Sequence, residues 1–272
     1  MSEDLRRLLE KQLWAVANAL RGRMNADEYK NYILGFIFYK YLSEKLENYI
    51  NNSLLKAEDF RFEEIKEDTK KGQSIIEEVK IACLDHLGFF LKPTDLFSYL
   101  VKKGKGDSGE ENNFILEDLK RILNSIEQTS MGTASEDDFK GLFDDVDLGS
   151  SKLGNSENKK NEIIVQILSL LNEIDFQIEN PKSDLLGDAY EYLIGEFAAG
   201  AGKKGGEFYT PSQVSRLLAQ IVTLDKKRIK SVYDPTCGSG SLLLRVKDYV
   251  EVTNYYGQEL NQTTYNLARM NM

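Results

Sequence analysis

Ser231-Val-Tyr-Asp-Pro-Thr-Cys-Gly-Ser-Gly-Ser-Leu-Leu-Leu244 runs from a strand-like pattern ending in an acid, through a sharp turn with two glycines, into a helix start. Glycine suits such a turn because a residue without Cβ takes positive φ freely and lets a ligand approach the backbone. The helix start presents unpaired N–H groups and a partial positive charge to that ligand. Strand–turn–helix segments of this kind lie at the carboxyl edge of a parallel sheet, so the stretch predicts a nucleotide-like cofactor site in an α/β domain.

Two details select among cofactors. Gly238 and Gly240 are in phase with the dinucleotide pattern G-x-G-x-x-G/A, but its third position, which needs a small residue for close helix–strand packing, is Leu243. This weakens a nicotinamide or flavin reading without excluding it. Asp234-Pro235 sets a carboxylate at the strand tip, which suits a cationic sulfonium or an amino-acid moiety and repels a pyrophosphate. The balance favours S-adenosyl-L-methionine.

Working outward, Val252-Thr-Asn-Tyr-Tyr-Gly-Gln-Glu-Leu260 reads as the next strand. Glu259 lies at its tip, roughly 20 residues after the turn, where an acid accepts hydrogen bonds from ribose hydroxyls. Taken alone, Glu259 reads equally well as a first-turn acid of the following helix; its spacing from the turn favours the ribose role. Upstream, in Gly205-Gly-Glu-Phe-Tyr-Thr-Pro-Ser-Gln-Val214, Thr210 is placed as an N-cap with Pro211 at the first helical position. Val214, Leu217, Leu218 and Ile221 give that helix one apolar face. A capped helix explains Thr210-Pro211 but leaves Glu207-Phe208-Tyr209 without a role.

Glu207-Phe-Tyr-Thr-Pro211 followed by Asp234-Pro-Thr-Cys-Gly-Ser-Gly240 closely resembles the modification subunits of type I restriction–modification systems, which are S-adenosylmethionine-dependent adenine-N6 DNA methyltransferases. The resemblance extends to Leu186-Gly-Asp-Ala-Tyr-Glu-Tyr-Leu193, Gly257-Gln-Glu-Leu260, Tyr265-Asn-Leu-Ala-Arg-Met-Asn271 and the N-terminal Tyr32-Ile-Leu-Gly-Phe-Ile-Phe-Tyr-Lys-Tyr-Leu42. It implies an α-helical N-terminal domain followed by the start of a Rossmann-like methyltransferase domain. It places cofactor contacts on Glu207, Phe208, Tyr209, Thr210, Pro211 and Ser212, on Ser239, Gly240 and Ser241, and on Glu259, to which the strand tip and turn add Asp234, Pro235 and Gly238. Phe208 and Tyr209 would pack near the methionine arm. DNA, a specificity subunit and a restriction subunit are the implied partners. The direct transfer to an amino nitrogen needs no thiol, so Cys237 reads as a small apolar residue beneath the turn.

The family's catalytic motif, Asp/Asn-Pro-Pro-Tyr/Phe, accepts the adenine amino hydrogens and stacks on the flipped base. The prolines here, Pro93, Pro181, Pro211 and Pro235, include no adjacent pair. No catalytic residue is therefore assigned, and the chain reads as the front part of a longer protein, inactive by itself. A self-contained methyltransferase with its own recognition domain, and a helical interaction module with a remnant nucleotide turn, are the alternatives.

The rest bounds the class. In 272 residues, a net charge of −9 disfavours an independent DNA clamp, since phosphate contacts supply most non-specific affinity. Cys83 and Cys237 offer neither a disulfide framework nor metal spacing, and His86 is the sole histidine, so neither a histidine-based triad nor a zinc site is expected. The richest apolar run, Tyr32 to Leu42, is short and contains Lys40, and no secretory signal precedes Glu3-Asp-Leu-Arg-Arg7, so the expected location is cytoplasmic, with no membrane partner.

Periodicity predicts helices along the first half. Leu5, Leu8, Leu9, Leu13, Val16, Ala17 and Leu20 mark one face, and an Asn25/Glu28 capping pair opens a helix striped by Leu34, Ile37, Phe38, Tyr41, Leu42 and Leu46. Further helices are expected near 74–87, 94–102, 114–127, 163–176 and 185–197. The aromatics Tyr29, Tyr32, Phe36, Phe38, Tyr39 and Tyr41 read as core, with an interface as the alternative. The acidic stretch 129–160, rich in Ser, Gly and Asn apart from Phe139, Leu142 and Phe143, reads as an exposed, partly ordered, flexible connection. This divides the chain into a helical domain, 1–160, and the front of the methyltransferase domain, 161–272.

Overall fold

The structure is a computed structural model that describes residues 3–109, 113–175, 192–193, 210 and 212–272. The chain forms two units, Met1–Leu186 and Gly187–Met272.

The first unit is helical: α1 (Glu3–Leu20), α2 (Ala26–Tyr49), α3 (Lys70–His86), α4 (Phe97–Lys105), α5 (Leu116–Ser130), the short α6 (Glu136–Phe139) and α7 (Glu157–Asn172). Helix α2 is its axis. The expected Asn25/Glu28 capping pair opens it, with the Glu28 carboxylate accepting from the Asn25 N–H at 3.2 Å. Tyr29, Tyr32, Phe36, Ile37, Phe38, Tyr39, Leu42 and Leu46 are all buried, so this helix is covered nearly all round and these aromatics are core, while Tyr41 is half-buried. Lys40 is buried with them and pairs with Glu44 one turn on. On α1, Leu9, Leu13, Val16, Ala17 and Leu20 are buried, while Leu8 stays 52% exposed.

Two expectations differ from what is seen. The 129–160 stretch is a packed segment, not a flexible connection. Phe139, Leu142, Leu148 and Leu153 are buried, Phe139 stacks obliquely on Phe89 at 5.3 Å, and the Tyr32 hydroxyl donates to the Asp147 carbonyl at 2.7 Å. Single apolar residues, spaced through an acidic sequence, anchor it turn by turn. The boundary expected at 160/161 falls inside α7, whose Ile163, Ile164, Ile167, Leu168 and Leu171 are buried and which packs on α1, α2, α4 and α5. The units divide at Leu186/Gly187 instead, because the apolar face of α7 completes the first core.

The second unit contains α8 (Ser212–Thr223), β1 (Arg228–Asp234), α9 (Ser241–Val246), β2 (Glu251–Gly257) and α10 (Gln262–Asn271). The two strands pair in parallel with Arg228 opposite Glu251 and Asp234 opposite Gly257, and α9 makes the crossover between them. Ala219, Val246 and Val250 form one core patch with Ile229, Val232 and Val252. Cys237, Leu243 and Ala268 form another with Val232 and Tyr255. Helix α8 presents small residues inward, with Ser215, Ala219 and Thr223 buried, and turns its apolar stripe outward: Leu217 is 56% exposed and Ile221 60%. Among the described residues, no helix is long and apolar enough to cross a membrane.

Candidate functional site at the tips of the two strands

Parallel pairing brings the carboxyl ends of β1 and β2 side by side, and the hydrogen-bond ladder continues past the strands. The Gln258 N–H donates to the Asp234 carbonyl at 2.9 Å, and the Cys237 N–H donates to the Gln258 carbonyl at 3.0 Å. The two loops that follow the strands are thereby tied together, and the two acids predicted at the tips face one site.

Asp234 shapes the first loop. Its Oδ1 accepts from the Thr236 N–H at 2.9 Å, an Asx turn that bends the chain directly after the strand. Gly238 and Gly240 then take φ of +56° and +79°, the left-handed conformation that glycine adopts without cost. A Cβ on Gly238 would meet nothing within 4 Å, so the backbone there borders open space. The Gly240 N–H donates to the Cys237 carbonyl at 2.8 Å, and Gly240 is the N-cap residue of α9.

Glu259 closes the site from the β2 side. Its Oε2 accepts from the Gly238 N–H at 3.2 Å, and its Oε1 accepts from the Asn261 N–H at 2.8 Å. Cys237 lies beneath, buried against Leu243 and Ala268. Burial first, then the Asp234 and Glu259 charges, push its thiol above the ordinary value, so it is no nucleophile at neutral pH. Gly257 is also demanded by this thiol: a Cβ there would lie 2.8 Å from the Cys237 Sγ.

Of the residues expected to contact a cofactor, Asp234, Pro235, Gly238, Ser239, Gly240, Ser241 and Glu259 fall on this turn and the facing loop. Glu207, Phe208, Tyr209 and Pro211 lie outside the described residues, while Thr210 and Ser212 lie at the start of α8. Four residues without an earlier role belong to the site's frame: Thr236, Gly257, Gln258 and Asn261. Two had a local signal. Asp234-x-Thr236 is an Asx-turn spacing, and Asn261-x-x-Thr264 is an N-cap spacing, realised where the Asn261 Oδ1 accepts from the Thr264 N–H at 2.9 Å. Among the described residues, no cluster of His, Cys, Asp and Glu is arranged to hold a metal ion.

These residues suit S-adenosylmethionine better than a dinucleotide. Two carboxylates border the turn, and a pyrophosphate would meet both, whereas a sulfonium and a ribose diol gain from them. The open side of Gly238 leaves room for a ligand against the backbone.

Comparison with known proteins agrees with this architecture. The HsdM N-terminal domain family matches residues 9–171, and the N-6 DNA Methylase family matches residues 181–272. The type I restriction enzyme MpnII methylase subunit of Mycoplasma pneumoniae is 39% identical over 97% of this chain and 49% of its own length. The MjaIX methylase subunit of Methanocaldococcus jannaschii is 28% identical over 97% of this chain and 44% of its own. The crystal structure of the type I restriction-modification system methyltransferase subunit from Streptococcus thermophilus superimposes with a TM-score of 0.82 at 37% identity, covering 98% of this chain and 55% of that one. The chain thus spans about half the length of the curated relatives it matches. With a helical unit and a methylase unit in the same order as these proteins, the chain belongs to the family of type I restriction-enzyme methylase subunits.

Proposed function

We propose that the turn Asp234–Ser241 and Glu259 bind S-adenosyl-L-methionine, and that the chain serves a modification subunit that methylates adenine N6 in DNA alongside specificity and restriction subunits. The observation that carries this reading is the meeting of Glu259 with the glycine turn at 3.2 Å across the strand tips. Once bound, the cofactor would supply an electrophilic methyl on a cationic sulfur. The protein's part is to hold and orient it. Glu259 would accept ribose hydroxyls, the Asp234 carboxylate would favour a cation near the tip of β1, and Gly238 would admit the ligand to the backbone. Phe208 and Tyr209 would flank the methionine arm. The match to the HsdM N-terminal domain supports a subunit of a type I system over a self-contained methyltransferase.

Calorimetric titration of the chain with S-adenosylmethionine tests the site. Asp234→Ala and Glu259→Ala are each expected to weaken binding at least tenfold, a loss of about 1.4 kcal/mol or more. Unchanged affinity in both variants would refute the assignment. Because these residues contain no adjacent proline pair, the chain alone is expected to transfer no methyl to DNA, read as the absence of tritium incorporation from labelled cofactor.

A further inference from the structure

We infer that Glu259 is a positioning residue for the glycine turn: its carboxylate fastens the Gly238 amide and presets the turn before any ligand arrives. In the same loop the Cys237 and Gly240 amides donate to the Gln258 and Cys237 carbonyls, and the Thr236 amide donates to the Asp234 side chain two residues before it. Gly238 instead donates to a side chain 21 residues away. Gly238 holds a φ of +56° with no atom within 4 Å of where a Cβ would stand, and its carbonyl meets the weak Cys237 thiol donor at 3.7 Å.

The fastener is itself held. The Asn261 N–H grips the other carboxylate oxygen at 2.8 Å, and Asn261 is anchored as the N-cap of α10 through the Thr264 N–H at 2.9 Å. The turn after β1 is therefore set by the start of α10, through one carboxylate. A carboxylate offers about four acceptor positions. Two are taken by backbone N–H groups, so two hydroxyls of a ligand can be accepted while the turn stays fastened. A carboxamide offers one oxygen and turns its NH2 group towards one of the two donors, so Gln at this position cannot hold both.

The identity of the ligand rests on the function proposed above; the positioning role does not, and the test separates them. In 15N–1H spectra of the chain without cofactor, the Gly238 amide proton is expected downfield, as for an amide bonded to a carboxylate, and is expected to move upfield in Glu259→Gln, while resonances of the first unit monitor folding. A Gly238 amide that keeps its position in Glu259→Gln overturns the inference. Titration with S-adenosylmethionine is the second arm. A Gly238 amide that follows Glu259 in a chain that takes up no cofactor leaves the positioning role standing and removes the cofactor reading. Weakened cofactor binding in Glu259→Gln with an unresponsive Gly238 amide does the reverse.

Discussion

Glu47 shows what burial does to one carboxyl. It sits on α2 near Glu63 and Glu44, with Arg61 and Lys102 as partial compensation. Burial first, then the two acids, raise it from 4.5 to about 7. Because the folded value lies above the unfolded one, the folded chain keeps a proton that the unfolded chain releases. The stability tied to that proton is full below the unfolded value and is lost as pH rises through about 7. Glu47→Gln is expected to raise the melting temperature at pH 8 by about 2–4 °C, roughly 1 kcal/mol after discounting for solvent screening. The gain should vanish near pH 4.5; a gain independent of pH would show that charge is not its cause. Gly257 is constrained by shape instead. Gly257→Ala would set a methyl 2.8 Å from the Cys237 Sγ, and is expected to cost about 1–3 kcal/mol in urea denaturation. The two thiols should be equally quiet: burial pushes Cys83 up to about 12 and raises Cys237, so alkylation by iodoacetamide at pH 8 should wait for unfolding.

At the scale of elements, two helices of the first unit are capped by side chains of other helices. Leu96 and Ile115, at the N-cap positions of α4 and α5, provide no side-chain acceptor. Ser43 of α2 accepts from the Phe97 N–H at 2.8 Å, and Asn161 of α7 accepts from the Ile115 and Leu116 N–H groups at 2.8 and 3.1 Å. Asn161→Ala leaves two buried donors without an acceptor and should cost about 2 kcal/mol, visible as a lower urea midpoint, whereas Asn161→Asp should keep most of it. Such caps are invisible to any local window, which is one reason why the expected starts of α4 and α5 sit a few residues early. The glycine turn was legible because its conformational and chemical demands fall on contiguous residues, Asp234 to Ser241. The outward turn of α8 was not: Ser215, Ala219 and Thr223 do not read as a core face beside Val214, Leu217, Leu218 and Ile221, yet small residues allow the close approach to α9. The packing of 129–160 was hidden by acidic composition, since Phe139, Leu142, Leu148 and Leu153 follow no single period. The exposed stripe of α8 should bind a hydrophobic dye. Leu217→Glu with Ile221→Lys should lower that fluorescence without changing the far-ultraviolet spectrum; an unchanged signal would place the dye elsewhere.

For the whole molecule, the acidity that disfavours a DNA clamp is unevenly shared. Gly187–Met272 carries ten Lys and Arg against nine Asp and Glu, a net +1, so the helical unit carries −10 where the whole chain carries −9. Under the function proposed above, this nearly neutral unit by itself would give a duplex little electrostatic attraction, and binding by the unit alone is expected to show a weak salt dependence. The helical unit is also closed by its two ends: α1 packs on α7, and the Gln12 side chain donates to the Glu173 carbonyl at 2.8 Å, 161 residues away. During synthesis, at roughly 5–20 residues per second, α1 then waits roughly ten to thirty seconds for its partner helix. Throughout that interval Leu9, Leu13, Val16 and Leu20 have nothing of α7 to bury against. Until α7 is made, α1 can pack on α2 but keeps the side that α7 covers exposed, and a ribosome stalled before α7 leaves that side bare for good.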